Sequence, residues 1–145
     1  MSISKKILYI FTAGIFVFLV FCTFLSIYIS NKIQPVVEVI NPVRMSLKIA
    51  GNPENYNTVI PLVAIILGAE DRKYVYVIKQ RQGLFGIENY AKLIEVEVIA
   101  GDGKYVAIDD LIISNSDDVV LSSSKYITSG EIVKVNIDPY SLTLK

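Results

Sequence analysis

Tyr74-Val75-Tyr76-Val77-Ile78 is the run on which the reading of this chain turns. Every position carries an aromatic or β-branched side chain, so a strand built from it is apolar on both faces. Such a strand needs cover on two sides. Ile94-Glu95-Val96-Glu97-Val98 alternates instead, with core on one face and carboxylates on the other. Met45 to Ala50 alternates in the same way, and Val36–Ile40, between Pro35 and Pro42, is a short run consistent with a stalk or first strand after the membrane. Gly51-Asn52-Pro53-Glu54-Asn55 reads as a turn cluster. Val59 to Leu67 is nearly all apolar but contains Pro61, which predicts an edge strand, a bulge or a break between two strands. Gly68 to Lys73 reads as a polar turn, Gln80 to Asn89 as a loop around Leu84-Phe85, and Gly101-Asp102-Gly103 as a tight turn before Tyr105–Ile108. Val119–Leu121 and Ile132–Ile137 complete the strands, and nothing after Ile29 keeps a 3.6-residue apolar period with caps. The expected fold class is all-β, a small sandwich or barrel-like domain, preceded by one transmembrane α-helix.

That helix is read from Ile7 to Ile29, which hold no charged residue. Twenty-three helical residues rise roughly 35 Å, against a hydrocarbon core of about 30 Å. Lys5 and Lys6 precede the run and predict a cytoplasmic amino terminus, with the domain outside; Lys32 beyond it weakens the asymmetry. A cleaved secretory signal is the competing reading. The run exceeds the usual apolar centre of about 7–15 residues, however, and no A-x-A-like site follows. Phe21 stands where a lipobox before Cys22 wants a small residue, and Gly14 has no small partner four positions on. The expected organisation is a cytoplasmic tip (1–6), the membrane helix (7–29), a stalk with the first strand (30–45), the β domain (46–137) and a tail (138–145).

Composition narrows the function. The 145 residues include 14 Lys+Arg, 14 Asp+Glu, no His, one Cys and no Trp, and 52% are hydrophobic. A zero balance does not suit phosphate-backbone recognition, so no nucleic-acid partner is expected. Without histidine there is no imidazole acid or base and no His-ligated metal. One cysteine supplies neither an intrachain disulfide nor CxxC chemistry. Beyond residue 30, 12 basic residues face 14 acidic ones, a balance that selects no partner by bulk charge.

The candidate chemistry is thin. Ser122-Ser123-Ser124-Lys125 matches S-x-x-K, a motif that works at the start of a helix, yet strand formers flank it here and neither K-T-G nor S-D-N accompanies it. Asp109-Asp110 and Asp117-Asp118 lack the ligand spacing of a calcium loop and read as solvated turn acids. Glu95 and Glu97 share a strand face about 7 Å apart, a spacing open to a carboxylate pair but more simply a wet face. Gly83 and Gly86 have no Lys-Ser/Thr after them, so they form no phosphate loop. No catalytic residue, no metal and no cofactor is expected; the alternatives are a membrane-tethered serine acyl-hydrolase or transferase using Ser122 and Lys125, or a purely structural envelope protein. Leu84 and Phe85, at a turn tip, are the expected partner contact, with folding back into the core the competing placement. Ile7 and Ile29 bound the membrane anchor.

The order of segments resembles a known family. Ser46 to Ile65, with Val59-Ile60-Pro61-Leu62-Val63-Ala64-Ile65 at its centre, is similar to the opening of the last domain of hemolysin-D-type periplasmic adaptors (membrane fusion proteins) of efflux systems, in the style of Firmicutes. Tyr74–Ile78, the Gly83-Leu84-Phe85-Gly86 loop, Ala91 followed by Val96-Glu97-Val98, Ala107-Ile108, and Val120–Ile127 with Gly130–Val135 follow in the family's order. The resemblance implies a membrane-proximal β domain without an active site. Its partner would be an integral-membrane transporter of the ABC or RND type, and it allows a homo-oligomer. The chain departs from full-length adaptors in that 16 residues separate Ile29 from Ser46, too few for a lipoyl-like domain or a helical hairpin. Contacts made by those parts do not carry over.

Overall fold

The computed structural model describes residues 3–49, 52–84, 86–109 and 111–136, in two compact units that meet after Gln34. The first is a single helix, α1 (Ile3–Ile33), whose apolar stretch Leu8–Ile29 is long and apolar enough to cross a membrane. Its two threonine hydroxyls are satisfied internally: Thr12 and Thr23 donate to the carbonyls of Leu8 and Leu19, 2.9 Å each. Internal pairing of this kind is what hydrocarbon demands of a spanning segment. Tyr9 and Tyr28 stand 19 residues apart, a rise of about 29 Å that matches the spacing of the two membrane interfaces where tyrosine concentrates. Lys32 lies 5.3 Å over the Tyr28 ring.

The second unit is all β. Its strands are β1 (Val36–Ile40), β2 (Val43–Ile49), β3 (Asn52–Pro61), β4 (Ile66–Leu67), β5 (Lys73–Gly83), β6 (Gly86–Val96), β7 (Val98–Gly101), β8 (Tyr105–Ile108), β9 (Asp118–Ser123) and β10 (Lys134–Asn136). One sheet runs β10-β1-β9-β5-β4, with β6 on the other edge of β5; the second runs β2-β3-β8-β7. The first sheet closes on itself. Backbone bonds from Ala91 to Glu131 and from Val133 to Asn89 join β6 to the segment ahead of β10, and β10 then pairs parallel with β1. Inside the closed sheet lie Val37, Ile78, Ala91, Val120, Ile127 and Val133, with the Tyr76 hydroxyl donating 2.8 Å to the Ile127 carbonyl. Burial, more than the nearby Tyr126 and Glu131, raises the pKa of that phenol.

A second cluster, including Val75, Val77, Val119, Ile60, Val106, Ile108 and Ile113, fills the space between the sheets. A third (Leu47, Val59 and Ala107) covers the far face of the second sheet. β5 and β9 therefore carry core on both faces. Val75 and Val77 point one way, Tyr76 and Ile78 the other, as the uninterrupted apolar run predicted. The domain is both sandwich and barrel: the wall of one is a layer of the other.

Three expectations give way, the first only in part. Within residues 30–45 the expected first strand is found as β1, with Val37 fully buried in the closed sheet, but there is no stalk: α1 runs on to Ile33 and β2 begins at Val43. Asn52 to Asn55 form no turn either, because they pair with β2 from Ile49↔Asn52 onward. Pro53 is tolerated there because β3 has a neighbour on its other edge only from Val59, so the missing N–H breaks no ladder. Gln80 to Asn89 are not a loop but paired strand up to Gly83↔Gly86. For Pro61, the break is the alternative found: β3 ends on it, and a 3-10 turn (Leu62–Ala64) leads into β4.

Candidate interaction surfaces

The hairpin of β5 and β6 outgrows its sheet. β9 accompanies β5 only to Ile78↔Asp118, and on the other side the backbone bonds to β6 stop at Asn89. Beyond them Gln80–Glu88 project as a two-stranded ribbon. Backbone pairing, rather than a buried face, sustains it, which is why its side chains show no apolar alternation. Arg81 braces it across the strands, its Nε 3.5 Å from Glu88 Oε2 and its guanidinium 5.3 Å from the Tyr90 ring centroid. At the end, Gly86 has φ +129°, a conformation glycine adopts without the penalty a side chain incurs.

The tip is apolar. Leu84 is 94% exposed, so it does not fold back into the core; Ile87, which sequence reasoning did not single out, is 71% exposed. Phe85, the other expected contact residue, lies outside the described residues. Ile87 was visible as the last apolar residue of Leu84-Phe85-Gly86-Ile87, but nothing local distinguished an outward isoleucine from a buried one.

The root of the ribbon is clamped. Lys79 Nζ donates to Asp117 Oδ1, the Ser114 amide donates to Asp117 Oδ2 at 2.9 Å, and Asn41 Nδ2 donates to the Asp117 carbonyl and to Asp118 Oδ1. The acids expected to be merely solvated are a structural tie instead. The Lys79 hydrogen bond first, then the Ser114 amide, hold the Asp117 carboxyl below its ordinary pKa. Its contribution is therefore full above the pKa of the unfolded carboxyl and lost as the pH falls through the lower, folded value. Asp117→Asn is expected to cost about 1–2 kcal/mol at neutral pH. The difference from the parent should vanish in urea titrations run below the carboxylate range.

The remaining candidates are pulled into structure or left open. Ser122 and Ser123 lie in β9, not at a helix start, and the Ser122 hydroxyl donates 2.7 Å to Oε2 of Glu38, its cross-strand neighbour. Ser124 accepts the Val36 amide on its hydroxyl at 2.9 Å and donates its own amide to the Val36 carbonyl at 2.8 Å. These serines stitch the start of β1 to the end of β9. Lys125 donates its backbone amide to Ser123 Oγ. Asp109 caps its own loop through the Leu111 amide, and Asp110 lies outside the described residues. Glu95 and Glu97 line an open groove of about 530 Å³ with Asp71, Arg72 and Lys73; Arg72 reaches Glu95 at 4.0 Å. Opposite charges thus meet in the groove, and no group of three or more His, Cys, Asp or Glu among the described residues is placed to hold a metal ion.

Comparison with protein-family models, with curated proteins and with solved structures returns no match for this chain.

Proposed function

We propose that this chain is a non-catalytic, membrane-anchored accessory subunit that docks on an integral-membrane transporter, in the manner of an efflux adaptor. The observation that carries the reading is the braced ribbon with its apolar tip. A stiff polar stem ending in Leu84 and Ile87 loses little conformational entropy when a partner pocket closes on it, and removing these two exposed apolar side chains from water favours binding. α1 is the uncleaved anchor. It leaves Lys5 and Lys6 in the cytoplasm and the β domain on the outer face of the membrane. The transporter is of the ABC or RND type.

A full-length chain with a carboxyl-terminal affinity tag, expressed at native level and solubilised in mild detergent, tests this. A transporter is expected in the eluate, and the double variant Leu84→Asp/Ile87→Asp is expected to lose it. Because neither side chain is buried, the variant's stability should stay within about 0.5 kcal/mol of the parent. Undiminished recovery of the transporter with that variant would overturn the assignment of the tip.

A further inference from the structure

A second exposed apolar surface lies at the opposite end of the first sheet, and the strand register says what lies against it. Val36, the first residue of β1, is bonded to Ser124 at the end of β9. β9 runs antiparallel to β5 through Val119↔Val77 and Asp118↔Ile78, so the end of β9 lies toward the start of β5. β4 pairs with that start, Ile66↔Tyr74 and Leu67↔Lys73. Val36 and β4 therefore share one end of the sheet, two or three strand spacings or roughly 10–15 Å apart. The ribbon tip lies at the other end, about 33 Å along β5 from Lys73 to Gly83.

The β4 edge is apolar toward solvent. Val63 and Leu67 are 75% and 74% exposed, and Leu62 and Ile66 are partly so. Beside them an apolar recess of about 280 Å³ is lined by Leu62, Ile65, Leu67, Val98 and Val106, with Lys73 as its charged member. Chain length supplies the occupant. Only Gln34 and Pro35 separate the end of α1 at Ile33 from Val36, a tether of roughly 10 Å. So short a link keeps Val36 within that reach of the end of α1.

We propose that the Leu62–Leu67 edge rests in the interfacial layer of the membrane that α1 crosses. Val63 and Leu67 reach the boundary between headgroups and acyl chains, about 5–10 Å deep. The Lys73 ammonium stays at headgroup level on its apolar stem. The contact is hydrophobic rather than electrostatic, since Glu70 and Asp71 offset Arg72 and Lys73. It rests on α1 spanning the membrane and is independent of any transporter. Its consequence is a domain held at the membrane by two contacts, the helix and the β4 edge.

The chain contains no tryptophan, so a single introduced one is an unambiguous reporter. Four full-length variants, Val63→Trp, Leu67→Trp, Leu84→Trp and Val17→Trp, are reconstituted in phosphatidylcholine vesicles with and without phosphatidylserine. Each is read by emission wavelength and by quenching with lipids brominated at shallow or deep acyl positions. Tryptophan at 63 and at 67 is expected to emit to the blue and be quenched by shallow bromines equally in both vesicle types. At 84 it should emit as in water and escape quenching, and at 17 it should be quenched by deep bromines. Water-like, unquenched emission at both 63 and 67 while 17 is quenched would overturn the proposal and leave the anchor standing. Quenching at 63 and 67 only with phosphatidylserine would overturn its hydrophobic basis. No quenching at 17 would overturn the spanning of α1 and the proposal with it.

Discussion

Replacing Val17 and Val20 together by arginine is expected to release the full-length chain from the membrane. The stretch Leu8–Ile29 contains fourteen Leu, Ile, Phe and Val residues, which favour insertion by about 0.3–0.6 kcal/mol each, some 4–8 kcal/mol together. Arginine near the centre of a span opposes insertion by about 2.5–3.5 kcal/mol, so two of them offset most or all of that gain. Neither arginine has an acidic partner on the helix, for α1 contains no Asp or Glu. The measurement is alkaline carbonate extraction of membranes. The parent should stay in the pellet and the double arginine variant should leave it, whereas Val17→Leu with Val20→Leu should behave as the parent. Persistence of the arginine variant in the pellet would show that α1 is held there by something other than its apolar length.

The second large effect concerns adjacent residues of β5. Val77→Asp and Ile78→Asp are each expected to abolish cooperative unfolding of the domain. A carboxylate placed among apolar side chains without a partner costs several kcal/mol even after its pKa rises to keep it neutral. The whole stability of a domain of this size is only about 5–15 kcal/mol. Val77 is wholly buried between the sheets and Ile78 nearly so inside the closed one. In a strand with one wet face, one of two neighbours would tolerate a charge. Here neither should, and thermal melts followed by near-ultraviolet circular dichroism would show both losses. A cooperative melt within a few degrees of the parent for either variant would mean that one face of β5 is not covered.

The parts of this fold legible in the sequence are those governed by local pattern. The charge-free run became α1, and the apolar Tyr74–Ile78 run became a strand with core on both sides. The Pro61 break and the alternation in Met45–Ile49 also left local marks, since a missing N–H and a period of two are properties of a short segment. The failures share a cause. Asn52–Asn55 and Gln80–Asn89 have the composition of turns, but each is held as strand by a neighbour that supplies hydrogen bonds while burying little. Pairing of that kind leaves no hydrophobic signature. The same holds for Asp117, whose partners Lys79, Ser114 and Asn41 come from separate segments.

The exposed surfaces divide in the same way. Leu84 could be named as a tip residue from Gly83-Leu84-Phe85-Gly86, but its competing placement in the core could be rejected only with the register in hand. The Leu62–Leu67 edge could not be told from core at all, because apolar sequence reads alike whether a second layer covers it or not. By itself, then, the sequence determined one helix of membrane-crossing length, an all-β remainder, and a β5 that needs cover on both faces. Tertiary structure alone decided that the segment before β10 closes the first sheet onto β1, and that the apolar tip and the apolar edge stand at opposite ends of β5. The physical reason is that strand neighbours and register are chosen among distant segments by hydrogen bonding and mutual burial. Local periodicity records only that a strand wants such partners.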